Sequence, residues 1–69
     1  MKLSARNQLI GTVVSVTRGP VTALVKIDVG NGQHISATLT TEAADDLALT
    51  VGSPVTAIFK ASHVILGVE

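Results

Sequence analysis

Two short segments concentrate the residue types that could do chemistry. Ser4-Ala5-Arg6-Asn7-Gln8 places a hydroxyl, a guanidinium and two side-chain amides side by side. Lys60-Ala61-Ser62 adds an ammonium and a second hydroxyl far along the chain. Neither segment contains a carboxylate. Arg offers a planar fork of N–H groups, Lys a compact point charge, and Ser short directional bonds. Backbone N–H groups at a break between strands add further donors. A set rich in donors and cations suits a small oxyanion, whose surface is made of acceptors. The same residue types also make an ordinary polar lead-in and β-turn, and residue type alone leaves both readings open.

Other chemistry finds less support. The chain has no cysteine, so it lacks both a thiol nucleophile and a disulfide. It has no Gly-rich phosphate loop and no His-Glu-x-x-His pattern. His34 and His63 stand singly among strand residues and, without cysteines, do not make a structural zinc site. Asp45 and Asp46 are adjacent on a helical stretch, where neighbours do not face each other, so they read as a solvated face rather than an acid–base pair. The expectation is a protein without catalytic residues, bound metal cation or cofactor.

The elements that must position those segments are mostly strands. Val, Ile and Thr, stiff side chains suited to a pleated surface, make up a third of the 69 residues. A first strand is expected from about Gln8 to Thr17. Ile10, Val14 and Val16 lie on one face and Leu9 and Val13 on the other, as in a strand covered on both sides. Arg18-Gly19-Pro20 breaks it. In the second strand Val21, Ala23, Val25, Ile27 and Val29 share one face at period two. Gly30-Asn31-Gly32 is a hairpin signal. The third strand alternates Ile35, Ala37 and Leu39 against His34, Ser36, Thr38 and Thr40.

Thr41 to Leu49 has no alternation. Thr40 or Thr41 suits a helix cap, Glu42 suits the positive helix end, and Ala44 and Leu47 form a short apolar stripe. A turn at Thr50–Pro54 leads to a fourth strand, Val55 to Lys60. A fifth is expected from His63 to about Val68. The order β-β-β-α-β-β predicts an all-β, five-stranded OB-like barrel with one short helix between strands 3 and 4, as a single domain over residues 1–69. SH3-like barrels are the rival architecture.

Composition bounds the partners. Five Lys and Arg balance five Asp and Glu, and Phe59 is the one aromatic residue. A nucleic-acid binder needs a basic surplus or stacking aromatics, and neither is present. No apolar run approaches a membrane span, and the first residues lack the apolar core of a signal peptide, so a cytoplasmic protein is expected. A chain this short makes a marginal core, yet 46% of its residues are hydrophobic. With disulfides and structural metal excluded, self-association is the remaining route to stability.

Ser4-Ala5-Arg6-Asn7-Gln8-Leu9-x-Gly11-x-Val13 resembles the opening of the molbindins, the molybdenum-pterin-binding (Mop) proteins. Further pieces fit in order: Gly19-x-Val21-x-Ala23-x-Val25, Gly30-Asn31-Gly32, Ala37-x-Leu39-Thr40, Leu47-x-Leu49-x-x-Gly52-x-Pro54-Val55, and Ala57-x-x-Lys60-Ala61 before Val64. The resemblance spans essentially the whole chain. It implies an OB-like barrel assembled as a hexamer, a trimer of dimers, that binds molybdate, or tungstate in its place, between subunits. A unit with no DNA-binding or ATPase domain attached implies molybdenum storage or buffering.

Carried over residue by residue, the resemblance assigns Ser4, Arg6 and Asn7 to the ligand segment at the start. It assigns Lys60, Ala61 and Ser62 to the segment before the last strand, with the Ala61 and Ser62 backbone N–H groups as donors. Thr40 would come from a neighbouring subunit. A second site would use the turn Arg18, Gly19, Pro20 and Val21, where Pro20 departs from the pattern by removing an N–H. The alternative from a different class is an OB-type nucleic-acid or protein-interaction module.

Overall fold

The computed structural model describes residues 1–69. Its centre is one antiparallel sheet of four strands in the order β3-β2-β1-β4. The strands are β1 (Asn7–Arg18), β2 (Thr22–Gly30), β3 (Gln33–Thr40) and β4 (Pro54–Phe59). A helix, α1 (Thr41–Asp46), follows β3, and a 3₁₀ turn covers Ala61–His63. No helix is long and apolar enough to cross a membrane.

The long strand β1 serves two partners. Its first half, Asn7–Thr12, pairs with β4, and its second half, Thr12–Arg18, pairs with β2. Dividing one strand between two neighbours in this way curls the sheet. A bulge between Val13 and Ser15 adds to the bend, because an extra residue on one strand increases local twist. The bulge also corrects the expected faces of β1. Val13 is buried and Val16 packs against the same core, while Val14 and Ile10 are exposed. The apolar residues on both faces reflect a switch of face along the strand, not a strand sandwiched throughout.

The inner face is that of Ala23, Val25 and Ile27, all buried. Cross-strand neighbours Leu39, Ala37 and Ile35 from β3 and Val13 and Val16 from β1 share it. From β4, Val55, Ala57 and Phe59 face the same way, opposite Gly11, Leu9 and Asn7. Gly11 is where backbones approach most closely. A Cβ there would stand 2.6 Å from both the Asp28 carbonyl oxygen and Ile27 Cγ2, so only glycine lets β1 cross β2 at this point. Val21, expected on the inner face, instead precedes β2 and is exposed.

The β2–β3 hairpin turns at Asn31-Gly32, both at positive φ (54° and 73°). This is the two-residue turn that the Gly30-Asn31-Gly32 signal predicts. Thr40 caps α1, its hydroxyl accepting from the Ala43 N–H at 3.0 Å. Ala44 is fully buried, but Leu47 is 66% exposed, so the expected stripe is a single residue wide. The helix stops because Ala48 adopts φ 52°, with the Leu49 N–H returning to the Ala44 carbonyl. Glycine suits that left-handed position better than alanine. Ala48→Gly is therefore expected to gain about 1 kcal/mol, or about 4–8 °C in melting temperature, measured at fixed protein concentration.

The fifth strand does not form. β4 ends at Phe59, and Lys60 caps the 3₁₀ turn rather than closing the strand. His63 lies in that turn, and Val64–Glu69 pair with nothing. A strand needs a neighbour to accept its N–H groups, and this chain places none beside the tail. The sheet thus keeps two free edges, β3 and β4. Between them lies an open groove of about 540 Å³, floored by Ile27 and lined by Ile35, Ala37, Ala57, Phe59 and Val64.

Candidate functional site

The register of β1 with β4 brings together the two segments that the sequence keeps far apart. Asn7 pairs with Phe59 at the last step of the ladder. Arg6 and Lys60 are each one residue beyond that step, so the two cations flank one end of the sheet. Both are exposed, as are Ser4 and Ser62, whereas Asn7 is half-buried on the inner face. Ala61 and Ser62 open the 3₁₀ turn, whose own bonds begin with the His63 N–H to the Lys60 carbonyl (2.9 Å) and the Val64 N–H to the Ala61 carbonyl (3.3 Å). The first amides of such a turn have no acceptor within it. The Ala61 and Ser62 N–H groups are therefore available beside Lys60. No Asp or Glu hydrogen-bonds or ion-pairs with Arg6 or Lys60.

Thr40 is elsewhere. It pairs with Thr22 at the end of β3, next to the Arg18 end of β1. The 12 residues of β1 separate that end from the Arg6–Lys60 end by roughly 35 Å if the strand were straight. Within one chain, Thr40 cannot join the Arg6–Lys60 cluster.

Arg18, Gly19, Pro20 and Val21 form the turn beside α1. The Arg18 guanidinium donates to the Asp45 carboxylate and, from its other terminal nitrogen, to the Leu49 carbonyl at 3.5 Å. The Thr41 hydroxyl donates to the Gly19 carbonyl at 2.8 Å, and the Thr41 N–H to the Val21 carbonyl at 2.9 Å. The sequence reading missed Asp45 and Thr41 as partners of this turn. No local signal marks them, because Arg18 and Asp45 are 27 positions apart and only the fold makes them neighbours.

A cluster of cations, hydroxyls and free N–H groups at one sheet end can hold an anion. The chain matches the model of the TOBE domain over residues 3–66. It is 51% identical to a probable molybdenum-pterin-binding protein of Haemophilus influenzae, over the full length of both chains. This chain belongs to the Mop-type TOBE-domain family. Among solved Mop structures, MopII from Clostridium pasteurianum superposes with a TM-score of 0.90 at 33% identity, covering 97% of this chain and all of that one. ModG, a cytoplasmic molybdate-binding protein solved with molybdate bound, gives a TM-score of 0.95 at 43% identity, covering all of this chain and 49% of ModG. The Mop fold is thus an all-β, curled antiparallel sheet with one short helix.

Proposed function

We propose that this Mop-type chain reversibly binds molybdate, and tungstate in its place, as a non-enzymatic cytoplasmic store or buffer of molybdenum. One observation carries the reading: strand register sets Arg6 beside Lys60, with the Ala61 and Ser62 N–H groups adjoining and no carboxylate paired to either cation. Molybdate brings a double negative charge and an acceptor at every oxygen. Removing it from water is costly unless its charge is offset and its oxygens are bonded. Arg6 and Lys60 supply the charge, and Ser4, Asn7, Ser62 and the turn amides supply donors. Sulfate has the same charge but shorter bonds to oxygen, so a rigid donor set sized for molybdate leaves sulfate's bonds stretched. The relatives' names and the molybdate in ModG support the same ligand.

The complete site is a shared one. Thr40 sits at the far end of β1 from Arg6 and Lys60, so it enters the site from a neighbouring copy. The surface favours such assembly. Ile65, Leu66 and Val68 are 94%, 89% and 99% exposed, and the apolar groove between β3 and β4 stands open. A tail strand from a second copy supplies both the missing fifth strand and the missing cover, completing an OB-like barrel. The assembly we favour is a hexamer, a trimer of dimers. A nucleic-acid-binding module is the weaker reading, since charge is balanced and one aromatic residue is present.

Native mass spectrometry with molybdate, and sulfate in excess, tests this reading. The expected result is a hexamer that gains a fixed number of molybdates despite the sulfate. A monomer that ignores molybdate would overturn it.

A further inference from the structure

We propose that the Arg18–Asp45 ion pair is a latch that positions Thr40 for the oxyanion, and that Arg18 is not itself a ligand. The inference rests on the reading that Thr40 donates to molybdate in a neighbouring copy. The helix behind Thr40 is six residues long, too short to hold its own shape in water. Contacts with the β1–β2 turn hold it. At its start, Thr41 is tied twice, by its N–H to the Val21 carbonyl and by its hydroxyl to the Gly19 carbonyl. At its end, Arg18 reaches across to Asp45 and to the Leu49 carbonyl just beyond. Ala44, fully buried, is the contact beneath. The turn itself is closed by the Gly19 N–H on the Thr22 carbonyl at 2.8 Å.

Pinning both ends of α1 has a consequence for Thr40. Its hydroxyl oxygen accepts the Ala43 N–H at 3.0 Å, so the helix fixes that oxygen and leaves the O–H proton to be given away. An oxyanion requires such a donor in a set place. Meanwhile Arg18 is charge-compensated by Asp45, and Pro20 beside it has no N–H. The turn therefore has the chemistry of a clamp and lacks that of an anion site.

The two roles of Arg18 predict opposite signs for Asp45→Asn. Molybdate titration calorimetry on Asp45→Asn, Arg18→Ala and the exchanged pair Arg18→Asp/Asp45→Arg separates them. A latch predicts that each single variant weakens binding by about threefold to fivefold, the range an exposed ion pair allows, and that the exchanged pair restores it. A ligand role predicts that Arg18→Ala weakens binding, Asp45→Asn tightens it by freeing a cation, and the exchange restores nothing. That pattern, or unchanged affinity in all three, overturns the latch. Thr40→Val and Thr40→Ser report on the underlying reading. Loss with valine and retention with serine, which keeps hydroxyl and cap, supports it. Wild-type affinity in Thr40→Val means that Thr40 is no ligand, and the latch falls with that reading, whatever the Arg18 variants do.

Discussion

Arg6→Ala and Lys60→Ala are each expected to lower molybdate affinity by at least about tenfold. A hydrogen bond to a charged group is worth about 1.5–3 kcal/mol, and in the proposed site each of these residues supplies both a bond and one of the charges that offset the anion. The two losses differ in kind. Arg6 presents a planar fork, so Arg6→Lys keeps the charge but loses the paired geometry and recovers only part of the affinity. Lys60 acts as a point charge, and Lys60→Arg must fit a broader head beside the Ala61-Ser62 turn. Isothermal titration on each variant, with native mass confirming an unchanged assembly, makes the measurement. Neither side chain makes a hydrogen bond or ion pair within the chain, so an affinity loss cannot be traced to a broken internal polar contact. Unchanged affinity in both variants would remove this end of the sheet from the site.

Deleting Ile65–Glu69 is expected to dissolve the assembly and abolish molybdate binding together. Burying a large aliphatic side chain is worth about 1.5–3 kcal/mol. Ile65, Leu66 and Val68, nearly fully exposed in one chain, together offer several kcal/mol toward association, less the cost of ordering the partners. In the proposed assembly the tail would also bring backbone N–H and C=O groups to an edge strand whose outer side is unpaired. Leu66→Asp is the milder test. It keeps the backbone able to pair but places a charge in an apolar groove, so it should shift the mass distribution toward smaller species at low protein concentration. Size-exclusion chromatography with light scattering reads both. A truncated chain of unchanged mass would show that the groove is not where copies meet. Since Thr40 can reach the Arg6–Lys60 end only from another copy, loss of assembly without loss of binding would separate the site from the interface.

Much of this molecule was legible in its residues. Alternation of Ala23, Val25 and Ile27 marked the buried face of β2 because side chains on a strand alternate by geometry alone. Asn31-Gly32 announced its hairpin because few other residues tolerate positive φ at both positions. Thr40 and Thr41, with Glu42 after them, announced a cap, and the fold assigns it to Thr40. The donor-rich, acid-free composition of Ser4-Ala5-Arg6-Asn7-Gln8 and Lys60-Ala61-Ser62 allowed an oxyanion site but left an ordinary lead-in and turn open as well, and only the family resemblance favoured the first.

The errors have a common source. Strict period two puts Val14 and Val16 on one face, but the bulge between Val13 and Ser15 breaks that period, and a bulge depends on the partner strand's register and leaves no mark in β1. His63–Val68 was expected as a strand from β-forming residue types, but a strand exists only where a neighbour supplies the ladder. Local propensity does not say whether that neighbour belongs to the same chain. What the sequence by itself determined is the first four strands, the short helix, the hairpin turn and the inner face of β2 and β3, since these depend on side-chain chemistry and short-range backbone preference. Tertiary structure alone decided that Arg6 stands beside Lys60, that Arg18 is held by Asp45, that Thr40 lies at the opposite end, and that the tail is left without a partner. Each of these is a pairing across tens of residues, set by which strands share hydrogen bonds and in what register, and no local pattern encodes that choice.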